Sequence, residues 1–246
     1  MKKPKMIIFD YGHTLAYEHD VDFLRGTKAL FEHIKTNKQN LSPEQVNDFS
    51  SKLFYELLGD ARTSGLELHQ WQTQRFLYEY LEVEFNLEPL KIEEILWSSS
   101  APGALMPDAD VMIDYINAGG IRSGVISNIS WSGAALSKRL NGLLPLNHFE
   151  FIIASSEYVF RKPNPLLFEL ALKKAGLPAS EVWFCGDNVR ADIDAAAAVG
   201  IYPIWYEHTG ITDPWSRGKN ETSPRCEHLH IHEWAEFTSF IKGLEE

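Results

Sequence analysis

Six side chains in this sequence could hold a cation or act on a charged oxygen, and each stands where an apolar run stops or a helix begins. The run "IIFDYGHTL" is apolar up to Asp10. "GVISN" ends in Ser127 and Asn128, "RKPNP" sets Lys162 just ahead of a helix start, and "VWFCGDNVRAD" reaches Asp187 and then Asp192. Ligands of open parallel sheets sit outside the carboxyl ends of the strands. If these runs are strands of one sheet, carboxylates, a hydroxyl and a lysine converge on one rim.

The elements needed to position them are legible in the pattern. Residues 5–10 predict a short buried strand. "GIRSGVIS", "FEFIIAS", "EVWFCGD", "GIYPIWY" and "EHLHIH" predict five more, separated by helical patterns such as "DADVMIDYINAGG" and "NPLLFELALKKAG". In the latter, Asn164 is an N-cap, Pro165 occupies the first turn and Gly176 ends the helix. Strands alternating with helices of this length predict an α/β fold, a parallel sheet covered on both faces. Residues 20–98 instead read as almost wholly helical, in four helices joined by short connections, a small bundle. Its aromatic stripe Trp71–Phe76–Tyr80 is expected in the bundle core.

Four of these segments, in order, resemble the motifs of the haloacid dehalogenase (HAD) superfamily, most of whose members are Mg²⁺-dependent phosphatases. They are "FDYGHTL", "VISN", "KPNPLLFELAL" and "GDNVRAD". The resemblance implies a Rossmann-like core over 1–16 and 102–246, with a type-1 helical cap over 17–101. It makes Asp10 the nucleophile that becomes an aspartyl phosphate. Asp10, Asp187, Asp192 and the backbone carbonyl of Gly12 would hold Mg²⁺, which favours an octahedron of oxygens. Ser127 would bind phosphate oxygens and Lys162 would supply positive charge. Thr14 and Asn128 are expected to contact substrate, a small phosphorylated metabolite.

One position departs from the pattern. Most phosphatases of the family carry a second aspartate two residues after the first, as general acid and base, and here that residue is Gly12. Losing such help costs roughly 10²–10⁴ in rate. Three readings stay open at this stage. Leaving groups that need little protonation suit the site; a neighbour such as His13, Tyr17, Glu18 or His19 substitutes; or the protein is a weak phosphatase that binds a phosphorylated ligand. Dehalogenases carry tyrosine at this position and usually lack "GD…D", so the retained "GDNVRAD" disfavours that chemistry. Phosphonatases carry alanine there and use a cap lysine as a Schiff base, for which Lys28, Lys35, Lys38 and Lys52 are candidates.

The remaining features bound the function. The net charge of −11 argues against nucleic acid as a partner. The two cysteines, Cys185 within an apolar run and Cys226, do not make a disulfide framework. The apolar run after "MKKPK" is too short for a signal peptide, and no stretch reaches the roughly 20 apolar residues of a membrane span. A cytoplasmic protein with no membrane partner is expected; oligomeric state is not legible. "CEHLHIH" places Cys226, His228, His230 and His232 at period two on one strand face. Such side chains diverge too far for all four to share one ion, and the preferred reading is a terminal strand with Leu229 and Ile231 inward. Trp131 is expected to pack beneath a helix rather than wall the site, and 207–225 to form a polar surface loop.

Overall fold

The computed structural model describes residues 2–211 and 223–244. Six parallel strands form the main sheet: β1 (Met6–Phe9), β6 (Arg122–Ser127), β7 (Phe149–Ala154), β8 (Val182–Gly186), β9 (Tyr202–Tyr206) and β10 (Leu229–Ile231). Their spatial order is β10-β9-β8-β1-β6-β7. The chain thus builds outward from β1 on one side through β6 and β7, then returns to add β8, β9 and β10 on the other. This is doubly wound topology, and its switch point is the crevice between β1 and β8. Asp10 follows the first of these strands and Asp187 the second.

Both faces of β1 are buried. Ile7 and Phe9 enter one core with α5 (Ala109–Ala118) and α9 (Trp234–Gly243); Met6 and Ile8 enter the other with α7 (Pro165–Ala175) and α8 (Asp194–Ala198). Period-two alternation puts successive residues on opposite faces, so a strand covered on both sides reads as an unbroken apolar run. That is why "MIIF" is uniformly apolar. Asn164 caps α7 by accepting from Leu166 N at 3.0 Å, and Gly176 closes it at φ 65°. α6 (Gly133–Leu143) packs Ala135, Leu136 and Leu140 into the core shared with α5 and α9.

Between β1 and β6 lies the inserted helical segment: α1 (Phe23–Phe31), α2 (Pro43–Ser64), α3 (Gln70–Tyr80) and α4 (Pro89–Ser100). α1 packs against α4 and α2. A two-stranded antiparallel ribbon, β2 (Ala16–Glu18) with β5 (Gly103–Leu105), stands where the chain leaves and re-enters the sheet region.

Two expectations for this segment are corrected. It is not almost wholly helical: β3 (Ile34–Asn37) pairs antiparallel with β4 (Val83–Phe85). These runs of three and four residues, rich in β-branched and aromatic side chains, are too short to announce themselves by period. Nor is the aromatic stripe all core. The buried face of α3 is Gln70, Thr73, Gln74, Leu77 and Tyr78, a helical i, i+3, i+4, i+7, i+8 series. Phe76 and Tyr80 lie off that series and are exposed, Tyr80 stacking on Phe76 and on Phe49. No described helix is long and apolar enough to cross a membrane. Most of the 207–225 stretch lies outside the described residues.

Candidate active site

At the end of β1 the backbone N–H of Asp10 donates to Cys185 O at 2.8 Å, so the β1–β8 ladder continues to this residue and aims its carboxylate at the switch point. The chain then turns tightly. Leu15 N and Ala16 N both donate to Tyr11 O, and His13 adopts a left-handed φ of 56°. Gly12 lies in this turn, on the wall of a cavity of about 210 Å³.

Lys162 is the electrostatic centre of the rim. Its Nζ lies 2.7 Å from Asp10 Oδ1, 2.6 Å from Asp192 Oδ1 and 3.0 Å from Ile126 O. Burial works against its ammonium, but the Asp10 and Asp192 carboxylates hold its pKa above the ordinary lysine value. For Asp192, burial pushes the carboxyl upward, the Lys162 charge opposes that shift, and the Asp10 charge adds to it. Asp192 also accepts from Asn188 N at 2.9 Å. It sits so close to the end of β8 that a Cβ on Gly186 would fall 2.5 Å from its own Cβ. Glycine in "FCGD" therefore makes room for the acid six residues later.

The carboxylates of Asp10, Asp187 and Asp192 each offer an oxygen within 4.8 Å of the other two. A hard, all-oxygen donor set, one acid after β1 and two after β8, is the chemistry that Mg²⁺ takes, and these residues fit that ion. Ser127, at the end of β6, is buried and lines the cavity. Asn128 lines it too, but both ends of its amide hold the backbone of Lys162: Nδ2 donates to Lys162 O at 2.9 Å and Oδ1 accepts from Lys162 N at 2.7 Å. Asn128 thereby sets the height of the lysine. Thr14 does not reach the cavity wall; it is fully buried and its Oγ1 has no hydrogen-bond partner among the described residues.

Of the neighbours weighed as substitutes for the missing acid, His13, Tyr17 and Glu18 line the cavity, and His19 does not. Glu18 is committed elsewhere: its Oε1 accepts from Trp97 Nε1 at 2.9 Å and Arg139 Nη1 at 3.1 Å. The candidate Schiff-base lysines lie outside the lining. Lys28, Lys35 and Lys38 pair with Glu44, Glu84 and Glu82 at the surface, and Lys162 is the one lysine among the described lining residues.

Several site residues escaped the sequence reading. Glu67, in the loop after α2, is buried against Arg161, and it accepts from Ser155 Oγ at 2.9 Å. Ser155 in turn accepts from Ile129 N, in the loop that follows Ser127. Glu93 on α4 accepts from both the hydroxyl and the backbone N–H of Ser132, the N-cap of α6. These pairs join the inserted segment to the loops carrying Lys162 and Ser127, across sequence gaps that no local pattern spans. Trp131 both packs and walls the site: it is 7% exposed, stacks on Trp97 at 5.1 Å, and lines the cavity.

Comparison with known proteins bears on the family and the fold. The chain is 34% identical over 98 residues to the zebrafish (Danio rerio) haloacid dehalogenase-like hydrolase domain-containing protein 3, which covers 38% of each chain. It is 22% identical over 242 residues to ribulose-1,5-bisphosphate 5-phosphatase of Halopiger xanaduensis, spanning 96% of this chain and 98% of that one. The fold matches the crystal structure of 2-haloacid dehalogenase from Pseudomonas syringae pv. Tomato over the full length of both chains, with a TM-score of 0.61 at 20% identity. The family model for haloacid dehalogenase-like hydrolases matches residues 4–200, and the chain belongs to that family of hydrolases.

Proposed function

We propose that the protein is a Mg²⁺-dependent phosphatase that removes phosphate from a small metabolite through Asp10. The observation that carries this reading is the Asp10–Lys162–Asp192 cluster at the switch point, with Asp187 beside it. The full-length similarity to a phosphatase supports it. Asp10, Asp187, Asp192 and the carbonyl of Gly12 would hold Mg²⁺, which when bound offsets the charge of the phosphoryl oxygens.

The chain's own groups account for the remainder. An Asp10 carboxylate oxygen attacks phosphorus and the bond to the leaving oxygen breaks, giving an aspartyl phosphate. Water then attacks that phosphorus, releasing inorganic phosphate and restoring the carboxylate. Lys162 neutralises charge on Asp10 and on the transferred group, while Ser127 and the N–H groups after it bind phosphate oxygens. Asn128 holds Lys162 in place.

Residues 17–101 act as a cap over a core of 1–16 and 102–246. Among the described residues, no lysine or arginine of that cap lines the cavity. It contributes Thr27, Asn47, Ser50 and Gln70 alongside Phe23 and Phe54. Hydroxyls, amides and aromatic rings suit a neutral, hydroxyl-bearing leaving group better than one with a second carboxylate or phosphate. With no acid at residue 12, leaving groups of low basicity are favoured.

Assay of the purified protein with an aryl phosphate tests the reading. Hydrolysis should require Mg²⁺, stop on chelation and vanish in Asp10→Asn. Inertness toward a broad panel of phosphate monoesters would leave a phosphate-binding protein instead.

A further inference from the structure

A second group of metal-ligating side chains lies at the β9–β10 edge of the sheet, away from the cavity lining. Glu207 follows β9, and its N–H donates to Ile231 O, continuing the β9–β10 pairing. That register brings Glu207 beside the outward face of β10, where His230 and His232 stand two residues apart. His230 Nε2 lies 3.0 Å from Glu207 Oε2. The two imidazole centroids are 4.6 Å apart. Each of the three residues offers one ligand atom within 4.8 Å of the other two.

We propose that Glu207, His230 and His232 form a binding site for a divalent transition cation of the Zn²⁺ class. Two imidazoles and a carboxylate are a donor set for such ions, with solvent completing the shell, and imidazole selects them over Mg²⁺. The ligands are held in advance. His230 stacks flat on Trp205, with centroids 4.0 Å apart and an 11° interplanar angle, which restricts the ring without covering its in-plane nitrogens, and Nε2 faces Glu207. His232 Nδ1 donates to Glu207 O at 2.9 Å, which leaves Nε2 as the nitrogen available to a metal; backbone carbonyls commonly orient metal-binding imidazoles this way. A further carboxylate, Glu236, accepts from His232 N at 2.9 Å and adds negative potential.

The four-residue stripe seen in the sequence does not act together. His228 Nδ1 is engaged with Cys226 O, and its ring lies 6.3 Å from that of His230. Cys226 Sγ faces Ile193 O and Asp194 Oδ1. The third ligand comes from the neighbouring strand instead.

Calorimetric titration of the full chain with Zn²⁺, in excess Mg²⁺, tests the proposal. One binding event should be weakened by about tenfold or more in Glu207→Gln and in His232→Ala. It should persist in His228→Ala and in Asp187→Asn. Because none of the substituted side chains is fully buried, a circular dichroism spectrum like that of the unsubstituted protein is expected for each variant. Zn²⁺ binding that is unchanged in both Glu207→Gln and His232→Ala, or that disappears only in Asp187→Asn, would overturn the assignment.

Discussion

The ammonium nitrogen of Lys162 lies 2.7 Å from a carboxylate oxygen of Asp10, 152 residues earlier in the chain. The parallel sheet makes this approach possible: β6 lies beside β1, and the Asn128 amide just beyond β6 clasps the backbone of Lys162. The lysine is buried with two acids, so its charge is matched before any substrate arrives.

Lys162→Met keeps much of the side-chain volume and removes the charge. Turnover of an aryl phosphate should fall by roughly 10²–10³, the usual effect of deleting one stabilising donor. Two buried carboxylates would lose their counter-ion, so chemical denaturation should show a loss of about 3–5 kcal/mol. Full turnover in this variant would contradict the role given to the lysine.

Asn128→Ala separates positioning from contact. It removes both hydrogen bonds to the Lys162 backbone. A loss of about 1.4 kcal/mol in transition-state stabilisation, tenfold in kcat, is expected, with KM nearly unchanged. A rise in KM at constant kcat would instead mark Asn128 as a substrate-binding group.

Gly12→Asp should be tolerated, because a Cβ built there meets no atom within 4 Å. The new carboxyl would face the leaving group. Alkyl phosphate hydrolysis should rise by on the order of 10²-fold, and aryl phosphate hydrolysis much less. Equal gains on both substrates would show that leaving-group protonation is not what the natural site lacks.

Glu67→Gln tests the link between the inserted segment and the Lys162 loop. It removes the buried ion pair between Glu67 and the Arg161 guanidinium, and a loss of about 3 kcal/mol should appear in denaturant unfolding. A change below about 0.5 kcal/mol would mean that this pair does not hold the segment in place.

Glu93 gives the stability a pH dependence of definite sign. Burial raises its carboxyl above the ordinary value, with the Ser132 hydrogen bonds partly opposing the shift. The folded state therefore holds the proton more tightly than the unfolded chain does. Stability contributed by this group is present below the unfolded carboxyl pKa and declines as pH rises through the folded one. Relative to Glu93→Gln, the wild type should lose ground as pH climbs from about 4 and then level off. The opposite slope in paired melting curves would refute that sign.

Asp10, Ser127 and Asp187 were legible because β1, β6 and β8 are short apolar runs that stop at or just before them. Lys162, in the loop ahead of α7, and Asp192, in the helical turn after β8, were legible from the motifs and line the same cavity. Glu67 and Arg161 were not legible, since two loops distant in sequence define their meeting. The outward turn of Phe76 and Tyr80 was hidden because the buried face of α3 includes Gln70, Thr73 and Gln74, polar residues that apolar periodicity does not weigh. Glu207 joined His230 and His232 only once the β9–β10 register was known.

The central claim, that Asp10 carries the phosphoryl group, is tested most directly by rapid acid quench during turnover of a ³²P-labelled aryl phosphate, followed by peptide mapping. The account predicts transient label on the peptide containing Asp10, none in Asp10→Asn, and no turnover in that variant. Steady hydrolysis with no label on that peptide, or undiminished turnover in Asp10→Asn, would contradict it.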